Sequence, residues 1–235
     1  MAKSTTLRYL ATLVQLRVLE RDERGRFRLG LKLVELAGGR LGNDDLASVA
    51  EPLLRQLVIL SGETVHLGVP SGAHMVYIAK VESPQAIRLV SRIGSRVPMY
   101  SSAMGKALLA RLAPERRSEL LGRLEPRTPK TIVDARALAA ELEETRKRGF
   151  SIDDEENETG VRCVGAVVLA TGGEPLGAVS VSGPAGRLGL RRCRDLAPEL
   201  IEATREIARR LGHSPATDGD LAEGVATTNP GRRGG

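Results

Sequence analysis

Residues Glu63–Val81, ETVHLGVPSGAHMVYIAKV, contain the pattern that decides the fold class of this chain. Before this stretch, between positions 45 and 60, apolar residues recur every three or four positions, which is the period of an amphipathic helix. Within it, apolar and polar residues alternate on both sides of Pro70-Ser71-Gly72, as in two half-buried strands joined by a turn. The change of period predicts strands at Thr64–Val69 and Met75–Val81.

The same two periods continue along the chain and predict an α+β domain with a mainly antiparallel sheet. Alternation predicts further strands at Ala86–Ile93, Phe150–Asp154, Val161–Leu169 and Leu176–Ser182. Helical spacing predicts helices at Asp45–Leu60, Ser102–Arg111, Pro114–Leu121, Asp134–Arg148 and Arg191–Leu211. We expect Asp134 to cap one helix and Gly149 to close it, and Gly172-Gly173 to turn the last two strands into a hairpin.

The N-terminal segment has a different character. A helix with a polar face is predicted from Ser4 or Thr5, followed by a hairpin within residues 18–29 that turns at Gly25. Residues 1–30 hold seven lysines and arginines against three acids. This pattern is typical of the second half of a winged helix-turn-helix, whose recognition helix enters the major groove, although such a basic segment is more often an ordinary solvated surface.

The composition excludes several classes of protein. The net charge of +6 suits a polyanionic partner, but an aromatic content of 2% argues against a stacking surface for single-stranded nucleic acid. Two cysteines make no disulfide framework, and no membrane-spanning run or signal peptide is evident, which predicts a cytoplasmic protein. His66, His74 and His213 are not spaced as metal ligands, and no catalytic or nucleotide fingerprint occurs, so we predict no enzyme activity, metal or cofactor.

Several long motifs, in order, resemble the IclR family of transcriptional regulators. They are KSTTLRYLATLVQLRVLERDERGRFRLGLKLVELA (residues 3–37), GETVHLGV (62–69), VESPQAIRLVSRIGSRVPMYSSAMGKALLA (81–110), GFSIDDEENETGVRCVGAVV (149–168) and GAVSVSGPAGRL (177–188). The resemblance implies a partial winged helix-turn-helix at 1–29, a linker helix at 30–44 and a GAF-like effector-binding domain at 45–212, with a six-stranded antiparallel sheet flanked by helices. The polar composition of residues 213–235 predicts a disordered tail.

The resemblance also implies a function. We expect a ligand-responsive regulator, a repressor of a metabolic operon, that forms a homodimer or homotetramer and binds operator DNA and a small organic or aromatic acid. The residues expected to contact DNA are Lys3, Ser4, Thr5, Thr6 and Arg8 on the helix and Arg24 and Arg26 on the wing.

Three segments are candidates for the effector pocket. The first, Tyr100–Lys106, contains Ala103 and Met104 where small residues begin a helix and backbone N–H groups can approach an anion; alternatively, Ser101 or Ser102 is only a helix cap. The second pairs Asp153 with Cys163, and the third places Ser180 and Ser182 on one strand face. Buried apolar cysteine and solvent-facing edge serines are the alternatives. By matched position, the resemblance implies that the apolar wall consists of Ala86, Leu89, Val97 and Val161.

Two other interpretations remain open. Members of the family carry about two helices before the recognition helix, whereas this sequence begins at Met1-Ala2-Lys3 inside that module. Either the start of the sequence is misassigned, or the protein is an effector-sensing or oligomerisation protein that has lost operator binding through truncation of its DNA-binding domain. A GAF-like enzyme is the other alternative, and it requires Cys163 to have a depressed thiol pKa.

Overall fold

The computed structural model describes residues 3–22, 24–33 and 46–214. The chain divides into two compact units after Leu46. Most of the predicted linker helix, and the predicted tail beyond Ser214, lie outside the described residues.

The first unit consists of a helix and a hairpin, as the sequence predicts. Helix α1 spans Lys3–Gln15, and strands β1 (Leu19–Arg21) and β2 (Phe27–Leu29) pair antiparallel. Gly25 turns the hairpin with a φ of +75°, and Asp22 Oδ1 accepts the backbone N–H groups of Arg24 and Arg26 at 3.0 and 2.8 Å. Leu7 stays 55% exposed, as expected where so few residues cannot enclose a core.

The second unit contains a six-stranded antiparallel sheet, which confirms the predicted α+β class. Its strands lie in the order β5-β4-β3-β8-β7-β6. The strands are β3 (Thr64–Ser71), β4 (His74–Val81), β5 (Arg96–Pro98), β6 (Ser151–Asp154), β7 (Val161–Leu169) and β8 (Pro175–Pro184). The helices are α2 (Leu46–Ser61), α3 (Ala103–Leu109), α4 (Pro114–Leu121), α5 (Ala135–Arg148) and α6 (Leu190–Arg210).

The predicted caps and turns are confirmed. Asp134 accepts the N–H of Ala137 at 2.8 Å at the start of α5, and Gly149 ends that helix in the left-handed region at φ +82°. Gly172 and Gly173, both with positive φ, connect β7 to β8. These local signals therefore fix where the elements around the sheet begin and end.

The sheet is covered on both faces. Helix α6 packs against β7 and β8, where the apolar side chains of Val164, Val179 and Val181 are fully buried. Helix α3 packs against β6, β7 and β8 on the other face. That second face holds the polar residues described below.

The predicted strand Ala86–Ile93 is wrong. Residues 82–95, here called the strap, form no strand, and the edge strand β5 begins only at Arg96. Pro84 has no N–H for a ladder, and side chains hold the backbone of the strap instead. Lys80 Nζ donates to the carbonyl of Ser91 at 2.9 Å, and Arg187 Nη2 donates to that of Ile87 at 3.0 Å.

Candidate functional site

A cavity of about 160 Å³ lies in the second unit, bordered by the sheet, the start of α3 and the strap. All nine residues that the sequence analysis selects for an effector site line it. They are Leu89, Val97, Ala103, Met104, Asp153, Val161, Cys163, Ser180 and Ser182. Ala86, expected in the apolar wall, does not line this cavity. The structure thus brings the selected residues together, while their role in binding stays a prediction.

The polar side of the cavity is a row of residues that crosses three strands. Asp153 on β6 pairs with Cys163 on β7, which pairs with Ser182 on β8. Residues directly opposite in antiparallel strands share a face, so the three side chains lie side by side. Ser180 Oγ lies 3.4 Å from Ser182 Oγ, and β8 is an interior strand. The alternative of solvent-facing serines on an edge strand is therefore wrong.

Glycine residues allow α3 to lie directly on this face. A Cβ on Gly165 would come within 2.7 Å of the Ala103 carbonyl carbon, and the Ser151 hydroxyl donates to the Ala103 carbonyl oxygen. A Cβ on Gly68 would lie 3.2 Å from Met104 Sδ. The close approach of helix and sheet brings Ala103 and Met104 to the cavity.

Ser102 is both a helix cap and a lining residue. Its hydroxyl accepts the N–H of Gly105 at 3.3 Å and donates to the carbonyl of Pro98 at 2.6 Å. The cap interpretation of this segment is therefore correct, and Ser102 also borders the cavity. Ser101 is buried elsewhere and donates to Asn157 Oδ1 at 3.2 Å.

Asp153 is the most unusual of the lining residues, since only 2% of it is exposed. Its Oδ1 accepts two backbone hydrogen bonds, from Glu156 at 2.8 Å and from Asn157 at 3.2 Å. Burial is the main cause that raises the pKa of this carboxyl to about 7; the charge of Lys106 and the two backbone hydrogen bonds oppose the shift, and the charge of Glu156 adds to it. Near neutral pH, Asp153 therefore exists in both the charged and the protonated form.

This shift predicts how stability depends on pH. The pKa of Asp153 is about 7 in the folded chain against a model value of 3.8, so the folded state holds more protons between these values and stability falls as pH rises through that window. Asp153→Asn removes the effect. We expect the free energy of unfolding of the wild type to fall relative to the variant by about 4 kcal/mol between pH 4 and pH 8.

Urea unfolding of both proteins at the two pH values measures this difference. Asp195→Asn, on an exposed position of α6, is the matched control and should follow the wild type at both. A wild type and an Asp153→Asn variant that change in parallel with pH would show that Asp153 is ionised throughout.

Cys163 does not have the character of a catalytic thiol. Burial, together with the nearby Asp153, raises the pKa of the thiol well above its ordinary value, although a hydrogen bond with Ser182 opposes this. A nucleophilic cysteine requires the opposite shift. The thiol is therefore protonated at neutral pH, and the geometry gives no support to the enzyme alternative.

Seven lining residues are not among the nine selected from the sequence, although one of them, Ser102, lies in the candidate segment Tyr100–Lys106. They are Tyr77, Val90, Ser91, Ser95, Ser102, Asn157 and Glu158. Tyr77 could have been found, because it follows Met75 by two positions on the predicted strand β4. On the strap, the neighbours Val90 and Ser91 both line the cavity, whereas alternation would place them on opposite faces. Those on the loop after β6 follow no regular period and carry no such signal.

His66 links the sheet to the strap next to this cavity. Its ring stacks on Tyr77, with centroids 4.5 Å apart, and its Nε2 lies 2.7 Å from Ser91 Oγ. Burial lowers the pKa of His66 to about 3, with a smaller contribution from Lys80. The imidazole is therefore neutral and structural, and it positions two lining side chains.

A buried ion pair positions the loop that carries Asn157 and Glu158. Lys106 on α3 is fully buried and its ammonium contacts Glu156 Oε1. The hydroxyls of Thr128 and Thr131 donate to the carbonyls of Glu155 and Glu156 at 2.7 and 2.6 Å. These bonds anchor the loop between β6 and β7 to the rest of the second unit.

A larger groove of about 590 Å³ between α2 and α6 is a weaker candidate. It is lined by apolar residues such as Leu53 and Ile59 together with the glutamates of α6. Glu202 and Glu206 are ion-paired with Arg209 at 2.7 and 2.8 Å. No inward-pointing row of polar groups comparable to that in the small cavity is evident among the residues that line it.

The predicted DNA contacts lie in the first unit. Lys3 and Ser4 begin α1, Thr5 is half-buried, and Thr6 and Arg8 are exposed. Arg24 and Arg26 are exposed at the hairpin, where Arg26 Nε contacts Asp22 Oδ2 at 2.9 Å. A neighbouring groove lined by Arg17, Arg21 and Arg28 adds basic residues that the sequence analysis did not select.

Two negative findings apply to residues 3–22, 24–33 and 46–214. Within these ranges, no three histidine, cysteine or acidic side chains are grouped so that they could hold a metal ion. No helix there combines the length and the apolar character that crossing a membrane requires.

Comparison with known proteins identifies the family. The family model for the bacterial transcriptional regulator IclR C-terminal domain matches residues 39–209. The HTH-type transcriptional repressor AllR of Klebsiella pneumoniae is 35% identical over 218 residues, covering 92% of this chain and 80% of that protein.

Two solved structures are similar over most of their length. The Thermotoga maritima IclR structure has a TM-score of 0.73 at 38% identity, covering 91% of this chain and 87% of that one. An IclR homologue of Microbacterium hydrocarbonoxydans complexed with 4-hydroxybenzoate has a TM-score of 0.77 at 26% identity, covering 90% and 87%. The relatives are regulators and not enzymes, and this chain belongs to the IclR family as a ligand-responsive transcription regulator.

Proposed function

We propose that this chain is a repressor of a metabolic operon that binds operator DNA through residues 1–29 and a small organic acid through the cavity beside Asp153. Under this proposal, residues 30–44 form the linker helix and residues 45–212 the effector-binding domain. The observation that carries the proposal is the cavity that the row Asp153–Cys163–Ser182 lines together with the apolar side chains of Leu89 and Val97. Ligand sites in proteins combine an apolar wall with a few convergent polar groups in this way.

The exposed basic residues of the first unit support operator binding. Arg8, Arg24 and Arg26 are exposed on a helix and a hairpin of the kind that meets phosphates and base edges. A homodimer or homotetramer would present two such units to the half-sites of an operator. A regulator that binds the chromosome works in the cytoplasm, and we place the chain there for this reason.

The cavity supports a small acid as the effector. Its hydroxyl-bearing side chains, Ser180 and Ser182 among them, offer hydrogen bonds to a carboxylate, and its volume suits a compact molecule. The Microbacterium homologue binds the aromatic acid 4-hydroxybenzoate. We therefore take an aromatic acid as the first probe.

Operator binding gives a prediction for the wing. Arg26→Ala removes one exposed cation, and we expect it to weaken binding to all DNA sequences while reducing the slope of log affinity against log salt by about 1. Fluorescence anisotropy of the chain on its own upstream intergenic DNA, across a salt series, measures both quantities. Arg136→Ala, an exposed arginine on α5, is the control and should bind as the wild type does.

The same assay tests the proposed function itself. Saturable, sequence-selective binding with a steep salt slope supports the regulator. Weak binding of equal strength to any DNA would instead favour the second candidate, a sensor that does not bind an operator.

A further inference from the structure

The cavity has an unfavourable charge for an acid ligand. Of the described residues that line the cavity, two carry a carboxyl group, Asp153 and Glu158, and none is a lysine or an arginine. Two largely buried lysines near it, Lys106 and Lys80, do not line it. Lys106 is already paired with Glu156, and Lys80 with Glu82 and the Ser91 carbonyl. A carboxylate that enters therefore loses its water and meets further negative charge, which is costly without a cation or a shared proton.

The two oxygens of Asp153 have different surroundings. Oδ1 accepts the N–H groups of Glu156 and Asn157, so it acts as the carbonyl-like oxygen of the carboxyl group. Oδ2 accepts no hydrogen bond from the described part of the chain, and Asp153 borders the cavity. A proton on this carboxyl group therefore belongs on Oδ2, where it can be donated to a ligand.

We propose that an acid ligand binds this cavity together with one proton, which Asp153 carries on Oδ2 and donates in a hydrogen bond to the ligand carboxylate. The proposal rests on the proposed function and specifies its effector chemistry. Binding of the anion to the deprotonated protein then takes up one proton from solvent. The pair of ligand carboxylate and Asp153 carries a single negative charge.

The other titratable groups around Asp153 cannot account for the proton that is taken up on binding. Tyr77 on β4 and Cys163 on β7 are already protonated because burial raises the pKa of each well above its usual range. Glu156 faces Asp153 from the loop and is occupied by Lys106 of α3. Glu158 borders the cavity from the same loop, and its charge also disfavours a second anion.

The pH dependence of the affinity follows directly. The pKa of Asp153 is raised to about 7 by burial. Below that value the donor is already protonated, and the affinity for an acid should be constant. Above it each unit of pH should weaken the binding of an acid about tenfold, because one proton must be bound. An amide of the same shape needs no proton and should show no such dependence.

The test is calorimetry on the full chain with acids and their amides. The pairs, measured between pH 6 and pH 9, are benzoate with benzamide and propanoate with propanamide, and none of these molecules itself titrates in that range. Buffers of different ionisation enthalpy count the protons taken up at each pH. We expect uptake that approaches one proton per bound acid at pH 9, and none for an amide.

Two variants make the test specific to Asp153. Asp153→Asn keeps a hydrogen-bond donor but cannot titrate, so it should bind the acids with equal affinity at every pH and without proton uptake. Glu158→Gln removes the other lining carboxyl and should keep the pH slope of the wild type.

Three results would overturn the proposal: no binding of either acid, binding by the wild type without proton uptake at pH 9, or an unchanged slope in Asp153→Asn. None of these results would affect sequence-selective DNA binding, which tests the proposed function separately.

Discussion

Gly105→Ala is expected to destabilise the second unit by about 3 kcal/mol or more, a large effect for one added methyl group. A Cβ at this position would lie 2.2 Å from Met99 Cα and 2.3 Å from the Met99 carbonyl oxygen. These are backbone atoms of a residue that is itself fully buried, so neither helix α3 nor the Met99 backbone can move without a large cost in free energy. Helix α3 would be displaced from the Met99 backbone, together with the wall of the cavity that it forms.

Thermal and urea unfolding measure the loss, which corresponds to about 10 °C in Tm for a chain of this size. Gly186→Ala is the matched control, since a Cβ there meets nothing within 4 Å and its φ is not positive. We expect this variant to remain within about 1 kcal/mol of the wild type. Equal stability of the two variants would contradict the packing described for α3.

Lys106→Met is expected to cost about 3–5 kcal/mol, because it leaves the carboxylate of Glu156 buried without its cation. Lys106 is 0% exposed, and Glu156 Oε2 already has no hydrogen-bond partner among the described residues. The double variant Lys106→Met, Glu156→Gln removes both charges and should recover part of the loss. Unfolding of the two single variants and the double variant forms a cycle that isolates the interaction.

Lys130→Met is the control for this cycle. Lys130 is 49% exposed and contacts Asp154 and Glu155 at 3.3 and 2.8 Å. Exposed pairs contribute at most about 1 kcal/mol. If Lys106→Met cost no more than Lys130→Met, the buried pair would not stabilise the loop that carries Asn157 and Glu158.

Regular elements could be predicted from the sequence because they follow local rules. Strands β7 and β8 have clear alternation and a Gly172-Gly173 turn, and Asp134 and Gly149 bound α5 as capping chemistry requires. The same reliance on local rules leads to the wrong prediction of a strand in the strap. Its alternating residues 86–93 resemble a strand, but its backbone is held by the side chains of Lys80 and Arg187 from distant positions.

The polar row of the cavity could also be predicted, and its surroundings could not. Ser180 and Ser182 follow from alternation, and the pairing of Asp153 with Cys163 follows from adjacent strands read with the family resemblance. Lys106 and Glu156 are 50 positions apart, and an isolated lysine on a helix is normally solvent-exposed. Only the folded chain shows that this lysine is buried and anchors the loop.

The most direct test of the central claim is the effect of a ligand on DNA affinity in a chain whose cavity has been filled. Val161 lines the cavity, and Val161→Trp should occupy it without altering the first unit; Val133→Trp, at an exposed position, is the control. Anisotropy on the upstream intergenic DNA is recorded with and without an acid that binds the wild type. We predict a change in DNA affinity of about fivefold or more in the wild type and the control, and none in Val161→Trp. An undiminished response in Val161→Trp would contradict the assignment of this cavity as the effector site.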